Sequence, residues 1–215
     1  MRSMASKVRG RAVRAAALAG AIGAFALLAS CGSTPPATSP ATSPDMSWVP
    51  QAREVAQSVP PQLLSVLQAE IARGGPEGAV EVCRDKAPAM AREASAKTGW
   101  AIRRVSLRNR NPKAVPDDWE RAALEDFDRR AAAKEPAGSL ERADVVIENG
   151  QPMQRYMRAL PTVDLCLNCH GRAERISPAV QAKLKQFYPD DRGVGYQAGE
   201  IRGAITLKRP LVASR

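Results

Sequence analysis

Five consecutive residues, Cys166-Leu167-Asn168-Cys169-His170, constrain this chain more than any other feature. They put two thiols and an imidazole within about one turn of backbone, and His170 is the only histidine among 215 residues. Two thiols separated by two residues, with histidine next, form the pattern through which c-type haem is attached. The thiols add across two vinyl groups and the histidine falls beneath the iron. Other uses of Cys-x-x-Cys make different demands. A thioredoxin-like dithiol opens a helix within a βαβ setting, whereas a loop containing Pro161 precedes this motif. A zinc site needs four ligands, and Cys83, Cys166, Cys169 and His170 are the soft ligands left once Cys31 is otherwise engaged. The expectation is one covalent haem c, with thioether bonds at Cys166 and Cys169 and His170 as the proximal iron ligand.

The other end of the chain reads as an address. A basic start is followed by an apolar run from Ala15 to Ala29, too short for the roughly 20 residues of a permanent span. It leads into Leu28-Ala29-Ser30-Cys31, which is similar to a bacterial lipoprotein signal box. Residues 1–30 are thus expected to be a lipoprotein signal peptide, and Cys31 the lipidated first residue of the mature chain, held by more than one acyl chain. Gly32 is not the aspartate of inner-membrane retention, so a periplasm-facing position on the outer membrane is expected. Residues 31–47 carry a doubled Ala-Thr-Ser-Pro unit with nothing apolar to bury, and read as a disordered tether. Residues 48–215 are left as the haem domain. Export agrees with the motif, because bacterial c-type haem is attached outside the cytoplasm.

The net charge of +10 invites a nucleic-acid reading that its distribution removes. Arg2, Lys7, Arg9, Arg11 and Arg14 all lie in the leader, which has no acidic residue. Beyond it 27 basic residues face 22 acidic ones, interspersed along helical stretches such as Asp117 to Lys134. No nucleic-acid partner is expected.

Helices come first and strands after, without βαβ alternation, which predicts an α+β fold. Leu63, Leu64, Leu67 and Ile71 form a helical stripe opened at Pro61 and closed by Gly74-Gly75. Val80, Cys83, Ala87, Met90 and Ala94 recur at helical spacing from Pro76 to Lys97, so Cys83 faces inward, with a kink expected at Pro88. Trp100 to Leu107 reads as a strand. Asp117 or Asp118 caps a helix lined by Trp119, Ala123 and Phe127 and stopped by Pro136-Ala137-Gly138. Ala143 to Glu148 and Gln151 to Leu160 form a hairpin about Asn149-Gly150. Ser177-Pro178 starts a short helix, and Glu200 to Leu207 supplies the closing strand.

With His170 used on one side of the iron, the residues alone leave the other side open to Cys83, Met90, Met153, Met157, a lysine or an exchangeable ligand. A buried cysteine is also an ordinary small hydrophobe. Met153 and Met157, four apart on a strand, share a face in the manner of core residues.

The segments Val82-Cys83, Ser106 to Pro112, Pro116 to Glu120, Arg155-Tyr156-Met157, Leu165 to Gly171, and Gly195-Tyr196 through Ile201 to Ala204 carry a likeness. Together they resemble a bacterial family of single-haem c-type domains with a PAS-like fold, found as periplasmic proteins and as extracytoplasmic sensor modules. The resemblance implies an antiparallel sheet flanked by helices, with helices preceding it. It also implies haem against the sheet and Cys83 as the distal iron ligand. Arg108, Arg110, Arg155 and Arg202 are candidates for the haem propionates, since guanidinium binds carboxylate with two prongs.

The resulting expectation is an envelope-anchored haem lipoprotein for electron transfer or redox sensing, working through a redox or signalling protein partner. The alternative is a module sensing nitric oxide or carbon monoxide. A peroxidase is disfavoured because the chain has no second histidine to serve as a distal base, and no enzymatic activity is expected.

Overall fold

The structure, a computed structural model, describes residues 45–211. The expected signal peptide, the lipidated Cys31 and most of the tether lie outside the described residues.

A helical element, α1 (Val49–Thr98), precedes the sheet and is interrupted once. Gly74 (φ −135°, ψ 15°) and Gly75 (φ 77°, ψ 172°) leave helical geometry, and the positive φ at Gly75 needs a residue without a Cβ. Both ends of α1 return to the same sheet: Trp48, Ala52 and Ala56 pack there, and so does Ala94. The expected break at Gly74-Gly75 is present. The helix begins at Val49, however, twelve residues before the proline read as its start, and runs through Pro60, Pro61 and Pro88. Burial of the Trp48 end, with Trp48 and Trp100 rings 5.8 Å apart, offsets the hydrogen bonds those prolines remove.

Four strands, β1 (Ala101–Val105), β2 (Glu141–Glu148), β3 (Gln151–Pro161) and β4 (Ile201–Pro210), form one antiparallel sheet in the order β1-β4-β3-β2. Asn149 (φ 50°) and Gly150 (φ 79°) make the β2–β3 turn, both in the left-handed region that such a hairpin requires. α2 (Asp118–Ala132) follows β1 and starts with a capping box: the Asp117 carboxylate accepts from the Glu120 backbone N–H, and Glu120 accepts in return from that of Asp117. The short α3 (Leu167–His170) and α4 (Pro178–Phe187) fill the long connection to β4.

The sheet separates two cores. On one face Ile102, Tyr156, Ile205 and Leu207 meet α1. On the other Val105, Met157, Ala159 and Ala204 meet Ala123, Leu124 and Phe127 of α2 and Leu140. Burying a side chain such as Phe127 contributes about 1.5–3 kcal/mol, and these two layers hold the sheet between helices. A third cluster joins Val80 of α1 to Ile176, Val180, Leu184 and Tyr188 around α4. The architecture is α+β, a four-stranded antiparallel sheet flanked by helices with a long helix before it. Among the described residues no helix is long and apolar enough to cross a membrane.

One irregularity positions the site. Ala159 pairs with Ala204, but Pro161 pairs with Ile201, so β4 carries an extra residue. Ile201 and Ala204, three apart, consequently share the α2-side core, although strict alternation would put them on opposite faces. Gly203 absorbs the irregularity at φ 145°, with Val105 O only 2.3 Å from where a Cβ would stand. Arg202 is turned to the α1 side.

Candidate functional site

Thr162 to Asp164 carry the chain off β3 into a 3₁₀ turn at residues 164–166 and then α3, which compresses Cys166, Cys169 and His170 into one coil. The backbone N–H groups of Gly195 and Tyr196 donate to the carbonyls of Gly171 (2.7 Å) and His170 (2.9 Å), fastening this coil to the segment before β4. Gly171 allows the tight exit, since a Cβ there would stand 2.6 Å from Leu167 O.

His170 is held in one tautomer. Its Nδ1 lies 2.6 Å from Gly193 O, which can only accept, so Nδ1 carries the proton and Nε2 the lone pair. Arg110 Nη1 approaches Nε2 at 3.5 Å. Burial first, and then the charges of Arg202, Arg110 and Arg104, hold the imidazole well below its ordinary pKa. A neutral ring whose unprotonated Nε2 is fixed in direction, here facing only the long contact from Arg110, is the form a metal requires.

Cys83 sits one helical turn beyond Val80, whose apolar cluster takes in Cys169, and α1 packs directly against α3. Burial pushes the Cys83 thiol up, opposed by Arg104, Arg202 and Arg110, the same three cations that act on His170. Burial also raises Cys169, to about 11. Cys83, Cys166 and Cys169 are all half-buried and free, with no disulfide among them. The structure thus brings Cys83 of α1 to the coil that carries Cys166, Cys169 and His170, which lie 83 to 87 positions further along the chain. Among the described residues, no three His, Cys, Asp or Glu side chains converge into a cage for a bare metal ion.

The four arginines read as propionate contacts have different surroundings. Arg110 lies in the site, but its Nε donates to Asp191 Oδ2 at 2.9 Å and its Nη2 to Cys169 O at 2.5 Å, so it braces α3. Arg108 stacks 3.6 Å over the Tyr196 ring and donates to Val194 O at 2.9 Å, bracing the neighbouring loop. Arg202 is near enough to Cys83 and His170 for its charge to act on both. For Arg155 the reading is corrected: β3 alternation places it with Met157 on the α2 side, where it pairs with Asp117 (2.6 Å), Glu120 (3.2 Å) and Glu148 (3.0 Å). Three carboxylates pair with its Nη1 and Nη2 on the far side of the sheet from Cys83, while its Nε has no partner.

Met157 is fully buried in that same far-side core, which takes it away from His170. Met153 starts β3 opposite Pro210, and Met90 follows Cys83 on α1 by two turns. Sequence reasoning missed Arg104, whose guanidinium is so desolvated, with Arg202 beside it, that its pKa falls to about 9. Its one available signal was strand parity with the buried Ile102, which puts it on the α1 side.

Three soft sulfur donors, a neutral imidazole and uncompensated cations suit a metal-centred, anionic group better than they suit nucleophilic chemistry, because the raised Cys83 and Cys169 thiols are poor thiolates. No curated protein matches the chain. One solved structure, the crystal structure of the cyanobacterial heme-protein Tll0287, aligns with a TM-score of 0.58 at 23% identity, covering 80% of this chain and 100% of that one. The likeness extends over the helix–sheet architecture described above. The family model for Tll0287-like domains matches residues 34–210, and the chain belongs to the Tll0287-like family.

Proposed function

We propose that this chain binds one haem, covalently, through Cys166 and Cys169, with His170 as proximal and Cys83 as distal iron ligand. The observation that carries the reading is the packing of α1 against the Cys166–His170 coil, which sets Cys83, one turn beyond Val80, beside the apolar cluster that takes in Cys169. A solved structure alike in fold is named a heme-protein, which supports it further. The residues fit the group: Nε2 of His170 is the unprotonated ring nitrogen, two thiols stand at attachment spacing, and Arg202 Nε, like Nε of Arg108 and Arg155, is buried with no hydrogen-bond partner. When bound, the haem supplies one-electron chemistry. The chain's own part is to hold the imidazole by Gly193 and Arg110, to offer a thiol opposite, and to exclude water from both.

With lipidation at Cys31 as the anchor, the domain works at the periplasmic face of the envelope, on the outer membrane. Its role there is electron transfer or redox sensing through a protein partner rather than catalysis. Two protein ligands on the iron favour electron exchange over chemistry on a bound substrate. The test is expression of the full chain with a c-type haem maturation system. Intact mass and the reduced pyridine spectrum should show one haem per chain, lost when Cys166 and Cys169 are both replaced by serine. A chain that matures without added haem mass sinks the proposal.

A further inference from the structure

Two guanidiniums on the α1 side of the sheet have no counter-charge. Both are half-buried, and among the described residues no carboxylate lies within 4.0 Å of Arg104 or Arg202, whereas Arg155 and Arg110 each have at least one. Arg104 Nη2 donates to Arg202 O at 3.3 Å, and that carbonyl also accepts from Ser106 Oγ at 2.9 Å. Arg202 Nε is buried with no hydrogen-bond partner.

The bulge at Gly203 is what makes the pair. β1 delivers Arg104 to the α1 side by ordinary alternation, and the extra residue in β4 turns Arg202 to the same side. Without that bulge Arg202 would point toward α2. A backbone irregularity is thus spent on placing a second like charge beside the first. Two adjacent, half-buried cations repel each other and lose part of their hydration, so their arrangement is explained by an anion that takes both.

We propose that Arg104 and Arg202 form a carboxylate receptor for the two propionates of the haem, and that Arg104 is a cofactor-binding residue. The proposal rests on the haem reading above. Charge is matched at two against two, and guanidinium forks grip carboxylates in a planar, two-pronged way. Arg110 and Arg155 are already paired and leave this role to Arg104 and Arg202.

The experiment compares Arg104→Met and Arg104→Lys with the wild-type chain in haem-loaded and haem-free forms, reading thermal midpoints of both forms and the reduction midpoint of the loaded one. Haem-free Arg104→Met should melt above haem-free wild type, since an unmatched buried charge is gone. Haem-loaded Arg104→Met should melt below loaded wild type and have a more negative reduction midpoint, because less positive charge is left to favour the ferrous state. Arg104→Lys, which keeps the charge and loses the fork, should lie between them. Shifts of the same sign in both forms, or an unmoved reduction midpoint, overturn the receptor. If inorganic phosphate stabilises the haem-free wild type as much as haem loading does, and leaves haem-free Arg104→Met unmoved, the pair takes a free anion and the propionate assignment is overturned. Absence of haem mass from wild type sinks the haem reading itself, whereas normal haem mass with Arg104→Met indistinguishable from wild type sinks only the receptor.

Discussion

His170 and Gly193 are joined by a 2.6 Å hydrogen bond from Nδ1 to a backbone carbonyl, and Asp191 holds that carbonyl's residue in place. Asp191 Oδ1 accepts from the Gly193 N–H at 2.7 Å while its Oδ2 accepts from Arg110 Nε at 2.9 Å. The Arg110 and Asp191 side chains are only 10% and 11% exposed. Breaking a pair this withdrawn from water costs about 3–5 kcal/mol. Asp191→Ala is expected to lose that much in urea unfolding; a loss under about 1 kcal/mol would mean the pair is screened like a surface one.

Cys83→Ala is expected to change both the ferric and the ferrous optical spectra of the haem-loaded chain, and to open the iron to carbon monoxide. Wild type should bind that gas poorly, since a protein ligand must first leave. Unchanged spectra in the variant would rule out thiolate ligation, and ready carbon monoxide binding by wild type would favour the gas-sensing alternative.

Gly203→Ala should be among the most damaging single-methyl additions. The new Cβ would stand 2.3 Å from the Val105 carbonyl oxygen, in a backbone region (φ 145°) that side chains rarely adopt. Strain of this kind costs about 1–3 kcal/mol before the clash is counted. Gly150→Ala, with open space around its Cβ, gives the control for positive φ alone. Equal losses at the two positions would mean that the contact with Val105 relaxes freely.

The parts of this architecture governed by short-range chemistry were readable in advance. Asn149-Gly150, the Asp117–Glu120 cap and Gly74-Gly75 each follow from what a turn, a helix start or a reversal demands of its own residues. The closeness of Cys166, Cys169 and His170 in one short coil follows from their spacing for the same reason. The start of α1 was not, because Pro60 and Pro61 look like a boundary until Trp48, Ala52 and Ala56 are seen packed on the sheet. Arginines were the weakest point. Arg155 and Arg104 look alike on a strand, and only the register and the location of Asp117, Glu120 and Glu148 show that one is paired with carboxylates on the α2 side while the other has none within 4.0 Å on the α1 side.

Acid should loosen the junction of α1, β2 and β3. Glu141 accepts from Arg53 Nη2 at 2.5 Å and from Tyr156 Oη at 2.6 Å, and the Arg53 contact foremost holds its carboxyl below the ordinary 4.5. A depressed folded-state pKa contributes stability that is complete above the unfolded value and disappears as pH falls through the folded one. Wild type should therefore lose stability below about pH 4.5 more steeply than Glu141→Gln. Parallel stability curves for the two below that pH would show that Glu141 is not coupled to folding.

The meeting of α1 with α3 also bears on how the chain resists unfolding. Cys83 and His170 are 87 positions apart. Joining them through a single metal would close a loop of that length, and by the chain-entropy relation used for disulfides a closure of this size removes about 4–5 kcal/mol of freedom from the unfolded ensemble. The loop spans the whole sheet except β4, so such a bond would act as a cross-link between the first helical element and the coil that follows β3. Its strength would vary with the oxidation state of the metal, and the domain's mechanical cohesion would then vary with the electron it holds.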